Sequence, residues 1–261
     1  MYKLLAMDKQ INIEEALDWY VWAGVTETCA DKPCLFENEM ISRPQIITGK
    51  THSVVSTKPA SDILKNAKDV CLKATSLSEL KEILVNFEGC SLKNTAASTV
   101  FGDGNERAKI MLIGEAPGAD EDRLGKPFVG RCGKLLDKML AAIQLKREDC
   151  YITNVLPWRP PGNRNPSDDE IAVCLPFLRR QIDLVEPDFI LLLGGIALKS
   201  VMDSPDSISR TRGRWLEYES ANKNISVLAT YHPSYLLRSS AQKAKSWADF
   251  LRFKKKLHEF K

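Results

Sequence analysis

The 261-residue chain reads as an α/β protein built on a parallel sheet covered on both faces. Three observations predict this. From Ala108 onward, short apolar runs alternate with segments of helical periodicity, the pattern of strands joined by crossover helices. Phe189–Leu193 is apolar at every position, as a strand buried on both sides must be. The segments rich in Gly, Pro and isolated polar residues each follow a strand, which puts them on one rim, where open α/β sheets bind ligands.

The elements follow in order. Residues 8–24 have the spacing of an amphipathic helix carrying Ile13, Ala16, Leu17, Trp19, Tyr20 and Trp22, with Gly24 at its end. Residues 30–60 are rich in Pro, Ser and Thr without periodicity and read as a linker. A helix is expected over 77–87, and the sheet begins with a strand at 109–113. A helix at 133–144 puts Leu135, Leu136, Met139, Leu140 and Ile143 on one face. The second strand is 151–156, and the helix at 168–185 opens on Ser167 with Glu170 three positions on, a capping box. The third strand, 189–193, leads to a short helix at 196–202; the fourth, 225–230, precedes a C-terminal helix at 241–260. The chain thus divides into a helix and linker over 1–75 and a main domain over 76–261.

Composition narrows the class. With 44% hydrophobic and 27% charged residues the chain is an ordinary globular protein. No apolar run approaches the roughly 20 residues of a membrane helix, and the N-terminus has polar residues too early for a secretory signal. A cytoplasmic protein away from membranes is expected. The first hundred residues hold 11 Lys and Arg against 13 Asp and Glu; the remainder holds 26 against 21. The basic excess near Arg210, Arg212, Arg214, Arg238 and Lys254–Lys256 suits phosphate contacts, and a solvated helix face explains the last group equally well. Seven cysteines without a CxxC pair read as buried thiols, not as a disulfide framework.

Three segments carry the chemistry. The first, Gly114-Glu115-Ala116-Pro117-Gly118, matches neither G-x-x-x-x-G-K-[ST] nor G-x-G-x-x-G. A carboxylate inside the turn would repel a phosphate, so the turn suits a neutral, hydrogen-bonding ligand or is simply structural. The second, T-N-V-L-P-W-R-P-P-G-N-R-N-P, sets Asn154 inside an apolar strand, and an amide side chain offers both a donor and an acceptor. The third, T-Y-H-P-S-Y-L-L-R, follows the fourth strand with His232 and then Tyr235, Leu236, Leu237 and Arg238. Large apolar residues beside a basic one suit insertion into a base stack, with a helical turn packed on the core as the alternative for Leu236 and Leu237. Together the loops supply a nucleobase pocket: Phe128 to stack, Asn154 to read an edge, His232 to donate to a carbonyl oxygen.

These motifs resemble the uracil-DNA glycosylase superfamily, most closely its type-4 branch. The resemblance rests on VFGDGN, GEAPGADEDRLGKPFVGRCGKLLD, YITNVLPWRPPGNRNP, CLPFLRRQ, RGRW and YHPSYLLR, from about Cys90 to Arg252. It implies a three-layer α/β/α sandwich with a four-stranded, mainly parallel sheet, here with an N-terminal helical extension. It also implies hydrolysis of the N-glycosidic bond of uracil in single- or double-stranded DNA by a monomer, leaving an abasic site. Glu115 and His232 are then the catalytic candidates. Gly114, Ala116, Phe128 and Asn154 would bind uracil, and Arg159, Ser234, Tyr235, Leu236, Leu237 and Arg238 would contact DNA. In the better-known branch of the superfamily the turn reads Gln-Asp, with Asp orienting water; here Glu115 and Ala116 stand there, and Glu115 is expected to organise the water or the pocket. Gly118 replaces the Tyr that excludes thymine in that branch.

The resemblance departs at the metal. Type-4 members hold a [4Fe-4S] cluster with four cysteines, and the matching positions here are Phe87, Cys90, Trp158 and Cys174. The expectation is therefore no cofactor, with Phe87 and Trp158 filling the volume; Cys29, Cys34 and Cys71 match no cluster position. Two other readings are a uracil-DNA binding protein without turnover and a Rossmann-like nucleotide hydrolase. The missing phosphate loop disfavours the latter.

Overall fold

The computed structural model describes residues 60–259, so the helix expected at 8–24 and the linker at 30–60 lie outside the described residues. The helices are α1 (Ala60–Cys71), α2 (Leu77–Asn86), α3 (Ala119–Leu124), α4 (Arg131–Ala142), α5 (Asp168–Val185), α6 (Gly195–Met202), α7 (Ile208–Thr211), α8 (Pro233–Arg238) and α9 (Lys243–Glu259). The strands are β1 (Asp103–Gly104), β2 (Ile110–Gly114), β3 (Cys150–Asn154), β4 (Phe189–Leu193), β5 (Trp215–Glu219) and β6 (Asn224–Thr230).

The sheet has the order β1-β3-β2-β4-β6-β5. Its inner four strands are mutually parallel, and these are the four that the sequence predicts. The expected four-stranded sheet is nevertheless a mixed six-stranded one. β1 pairs antiparallel with β3, and β5 pairs antiparallel with β6. Neither edge has the signature of a buried strand. β1 is two residues of turn-forming type, and β5 is an edge ribbon with no fully buried residue.

Alternation along the strands sends successive side chains to opposite faces. Met111, Ile113, Ile190, Leu192, Val227 and Ala229 enter one core layer with residues of α1, α2, α5 and α6. Ile110, Leu112, Cys150, Ile152, Leu191, Leu193 and Leu228 enter the other, against α4 and α9. The parallel register levels the strand ends: Gly114 lies beside Asn154, and Leu193 beside Thr230. The loops that follow therefore meet on one rim.

Two details at the boundaries are informative. The capping box of α5 forms as read: Ser167 Oγ accepts from the Glu170 amide at 3.2 Å, and Glu170 accepts from the Ser167 amide at 2.8 Å. By contrast, α1 lies inside the 1–75 stretch read as helix and linker. Its packing residues, Ala67 and Cys71, are too small to give a strong periodic signal, and Arg180 of α5 ties down the turn after it by donating to the Ala74 carbonyl at 2.7 and 3.1 Å.

A buried ion pair fastens α9 to the sheet. Asp249 is fully buried, lies 2.7 Å from Arg212 Nη2 and accepts from Thr230 Oγ1 at 2.7 Å. Gly213, at φ 71°, has room only for a hydrogen, because a Cβ there would come within 2.3 Å of Asp249 Oδ1. This accounts for Arg212 and Gly213 of the R-G-R-W motif on structural grounds. Removing one partner strands the other charge in the core, so Arg212→Met is expected to lower unfolding free energy by about 3–5 kcal/mol in urea denaturation.

Candidate active site

The site begins with a missing side chain. Gly114 ends β2 directly beside Asn154, and a Cβ on it would lie 2.4 Å from Asn154 Oδ1 and 2.5 Å from Phe128 Cζ. Glycine is thus required for the Phe128 ring and the Asn154 amide to meet over the strand end. Asn154 is 5% exposed, and its buried Oδ1 has no hydrogen-bond partner in the protein. A buried acceptor left unpaired is costly, and native structures rarely keep one without a functional reason.

The turn after β2 is held by its neighbours. Val155 and Leu156 donate their amides to the carbonyls of Gly114 and Glu115, each at 3.0 Å. Glu121, in the first turn of α3, accepts from the amides of Gly118, Val129 and Gly130 at 3.1, 3.0 and 2.9 Å. It thereby ties the turn to the segment that carries Phe128.

His232 comes from the end of β6 and caps α8. Its Nδ1 accepts from the Ser234 amide at 3.1 Å and lies 2.7 Å from Ser234 Oγ. With Nδ1 the acceptor, the ring proton sits on Nε2. Desolvation, reinforced by the positive charge of Arg238, pushes the His232 pKa down to about 4, so the imidazole is neutral at physiological pH. The ring stands 5.7 Å from that of Phe128, centroid to centroid. Gly194, at φ 99°, permits this placement: a Cβ there would lie 3.0 Å from His232 Cβ.

These groups line one cavity of about 340 Å³, within the range of small-ligand sites. Glu115, Ala116, Phe128, Asn154, His232, Ser234 and Arg238 all line it, and Gly114 lies behind Phe128. Burial raises the pKa of Glu115 and Arg238 opposes the rise. Arg159 is outside the cavity, where its Nε donates to Asn163 Oδ1 at 2.8 Å. One expectation changes: Leu236 is 1% exposed and packs into the core, because 233–238 is a helix with an inward face. Tyr235 and Leu237 remain exposed, at 36% and 40%. Sequence reasoning missed Glu121, Cys132, Asn163 and Arg164, which also line the cavity. Glu121 stood in plain view within a run of acids, but no spacing rule separates it from its solvated neighbours.

Away from the pocket, Phe87, Cys90, Trp158 and Cys174 are all buried in one core layer. The Cys174 thiol donates to Cys90 Sγ at 4.0 Å, which lowers the Cys90 pKa and raises that of Cys174. Phe87 packs on Phe177 at 5.1 Å, and Trp158 Nε1 donates to Thr99 Oγ1 at 3.0 Å.

Residues 101–255 match the model of the uracil DNA glycosylase superfamily. The chain belongs to that superfamily. It is 42% identical over 179 residues to a type-4 uracil-DNA glycosylase of Archaeoglobus fulgidus, covering 67% of this chain and 90% of that one. It is 43% identical over 151 residues to a type-4 uracil-DNA glycosylase of Thermotoga maritima, covering 58% and 77%. A type-5 uracil-DNA glycosylase of Pyrobaculum aerophilum is 29% identical over 149 residues, covering 51% and 64%.

The state of His232 is open to direct measurement in this superfamily member. Its ¹⁵N shifts are expected to report the Nε2–H tautomer from neutral pH down to about 4. The folded pKa lies below the ordinary value of 6.5, so the unfolded chain takes up the proton first. Stability from this group therefore falls as pH drops from about 6.5 to about 4 and is level above that window. His232→Asn should flatten that part of the slope in denaturation series.

Proposed function

We propose that this chain is a DNA repair glycosylase that takes uracil out of the DNA stack and hydrolyses its N-glycosidic bond, leaving an abasic site. The observation that carries the reading is the unpaired Asn154 amide oxygen beside an aromatic ring and a neutral histidine donor. Uracil offers the complement: an N3–H to donate, carbonyl oxygens to accept, and a flat face to stack. Cytosine, with an acceptor at N3, does not.

The mechanism follows from the groups present. As the bond between C1′ and N1 breaks, uracil leaves with the bonding pair and negative charge spreads to its oxygens. A neutral His232 has no second proton to transfer, so its Nε2–H stabilises that charge as a hydrogen-bond donor. Donors fixed in advance at developing charge are typically the largest catalytic contribution. Phe128 stacks on the base and Asn154 holds its edge. Water adds its hydroxyl to C1′ of the cationic sugar, and its other proton passes to solvent, from which the departed uracil anion is protonated. Glu115, at the mouth of the turn, organises that water and the pocket. Extruding the base costs a few kcal/mol, least from single strands or mismatches. Tyr235 and Leu237 hold the gap, while Arg159, Ser234 and Arg238 contact the backbone. A monomer acting on single- and double-stranded DNA in the cytoplasm suits this arrangement, as do the free thiols. The glycosylase domain, expected at 76–261, is extended to begin with α1 at Ala60, whose Ala67 and Cys71 enter its core. No helix among the described residues is long and apolar enough to cross a membrane.

The cluster positions do not fit a [4Fe-4S] group. A cubane needs four ligands, and here two thiols stand with a phenyl and an indole ring. The indole N–H is committed to Thr99. We assign no cofactor, and no step above uses one. Protein purified without oxygen is expected to carry no stoichiometric iron and no cluster absorbance; a full iron complement would refute the assignment.

The activity test uses oligonucleotides with one uracil, single-stranded, opposite G and opposite A, without divalent metal. Alkali-dependent cleavage at the uracil is expected, faster opposite G than opposite A. His232→Ala should lower the single-turnover rate on the order of 10²–10³-fold, as expected for loss of one preorganised donor, and Asn154→Ala, which removes the acceptor for uracil N3–H, should lower it as well. Uracil-specific binding without cleavage would leave a recognition protein instead.

A further inference from the structure

Phe128 occupies a backbone conformation that aromatic residues rarely adopt, and the structure contains a device that imposes it. Its φ is 52°, in the left-handed region, where a bulky non-glycine residue is a genuine outlier and clusters at functional sites. Such a conformation persists only where surrounding contacts over-determine it. Glu121 holds the amides on its far side, at Val129 and Gly130. The carbonyls on its near side are held by one guanidinium. Arg147 Nη1 donates to the Phe128 carbonyl at 3.0 Å, and Nη2 donates to the Pro127 carbonyl.

Arg147 is itself fixed from two directions. Its Nε donates to Asp103 Oδ2 at 3.1 Å and its Nη1 lies 3.2 Å from Asp137 Oδ1. Its side chain is 19% exposed. It sits in the turn directly before β3, the strand that ends in Asn154. The same residue therefore joins the start of the Asn154 strand to the backbone under Phe128. Gly133 of α4 completes the seat: a Cβ there would lie 1.8 Å from the Phe128 carbonyl oxygen.

We infer that Arg147 is a positioning residue for uracil excision, holding the Phe128 ring over Gly114 through the two carbonyls rather than touching substrate. The planar fork matters more than the charge. Lysine keeps an ion pair with Asp103 but cannot hold two carbonyls in one plane. The inference rests on the glycosylase reading for its chemistry, and not for its geometry.

The test is a double-mutant cycle joined to a reading of the ring. A displacement of about 1 Å away from a reacting centre costs on the order of 10²-fold in rate, so Arg147→Lys should slow single-turnover excision roughly 10- to 100-fold. In a Phe128→Ala background, with no ring to place, the same change should alter the rate less than about twofold. Equal losses in both backgrounds would mean a general structural role and would overturn the inference, as would no loss in the parent. Independently of reaction, 4-fluorophenylalanine at position 128 should give one narrow ¹⁹F resonance that shifts or broadens in Arg147→Lys. An unchanged resonance would also overturn it. If the parent fails to excise uracil, the glycosylase reading fails and the ¹⁹F comparison still decides the positioning.

Discussion

The site depends on one steric fact: at the end of β2 there is no side chain. The parallel register sets residue 114 level with Asn154, and glycine leaves that spot open, so Phe128 can lie across it with its ring edge against the strand. Any Cβ would meet both groups closer than real atoms approach. The rest of the rim is arranged around this contact. Glu121 and Arg147 hold the backbone that carries Phe128, the amides of Val155 and Leu156 hold the turn, and Gly194 lets His232 close the far wall.

The electrostatics of the pocket follow from burial of its groups. Desolvation favours neutral forms, which lowers the pKa of His232 and raises that of Glu115, while Arg238 acts on both. A neutral imidazole with its proton fixed on the outer nitrogen is a donor ready before the reaction begins. In the proposed mechanism no proton has to move for it to meet the charge that develops on a departing base.

Much of this was legible in the sequence, for identifiable reasons. The inner strands announced themselves by unbroken apolar runs, and α5 by its capping box. Glu115, Asn154 and His232 stood out because each is a polar residue just past or within an apolar strand. The edges of the sheet were not legible, since two residues of β1 and the half-exposed ribbon of β5 lack any buried periodicity. For Leu236 the sequence leaves a surface wedge and a helical turn packed on the core both open; Pro233 opens a helix, where proline is well tolerated at the first turn, and Leu236 falls on its buried face. Arg147 was invisible. Its partners are backbone carbonyls 19 and 20 residues away, and no side-chain pattern records such a contact.

The most direct check on this account is to titrate free uracil, and separately cytosine, into ¹⁵N-labelled protein and follow the Asn154 side-chain amide and the His232 ring nitrogens. Uracil is expected to shift both sets of resonances saturably, with His232 remaining neutral and cytosine leaving the Asn154 amide unmoved. Equal responses to the two bases, or no response at Asn154, would contradict the central claim that its unpaired edge reads uracil.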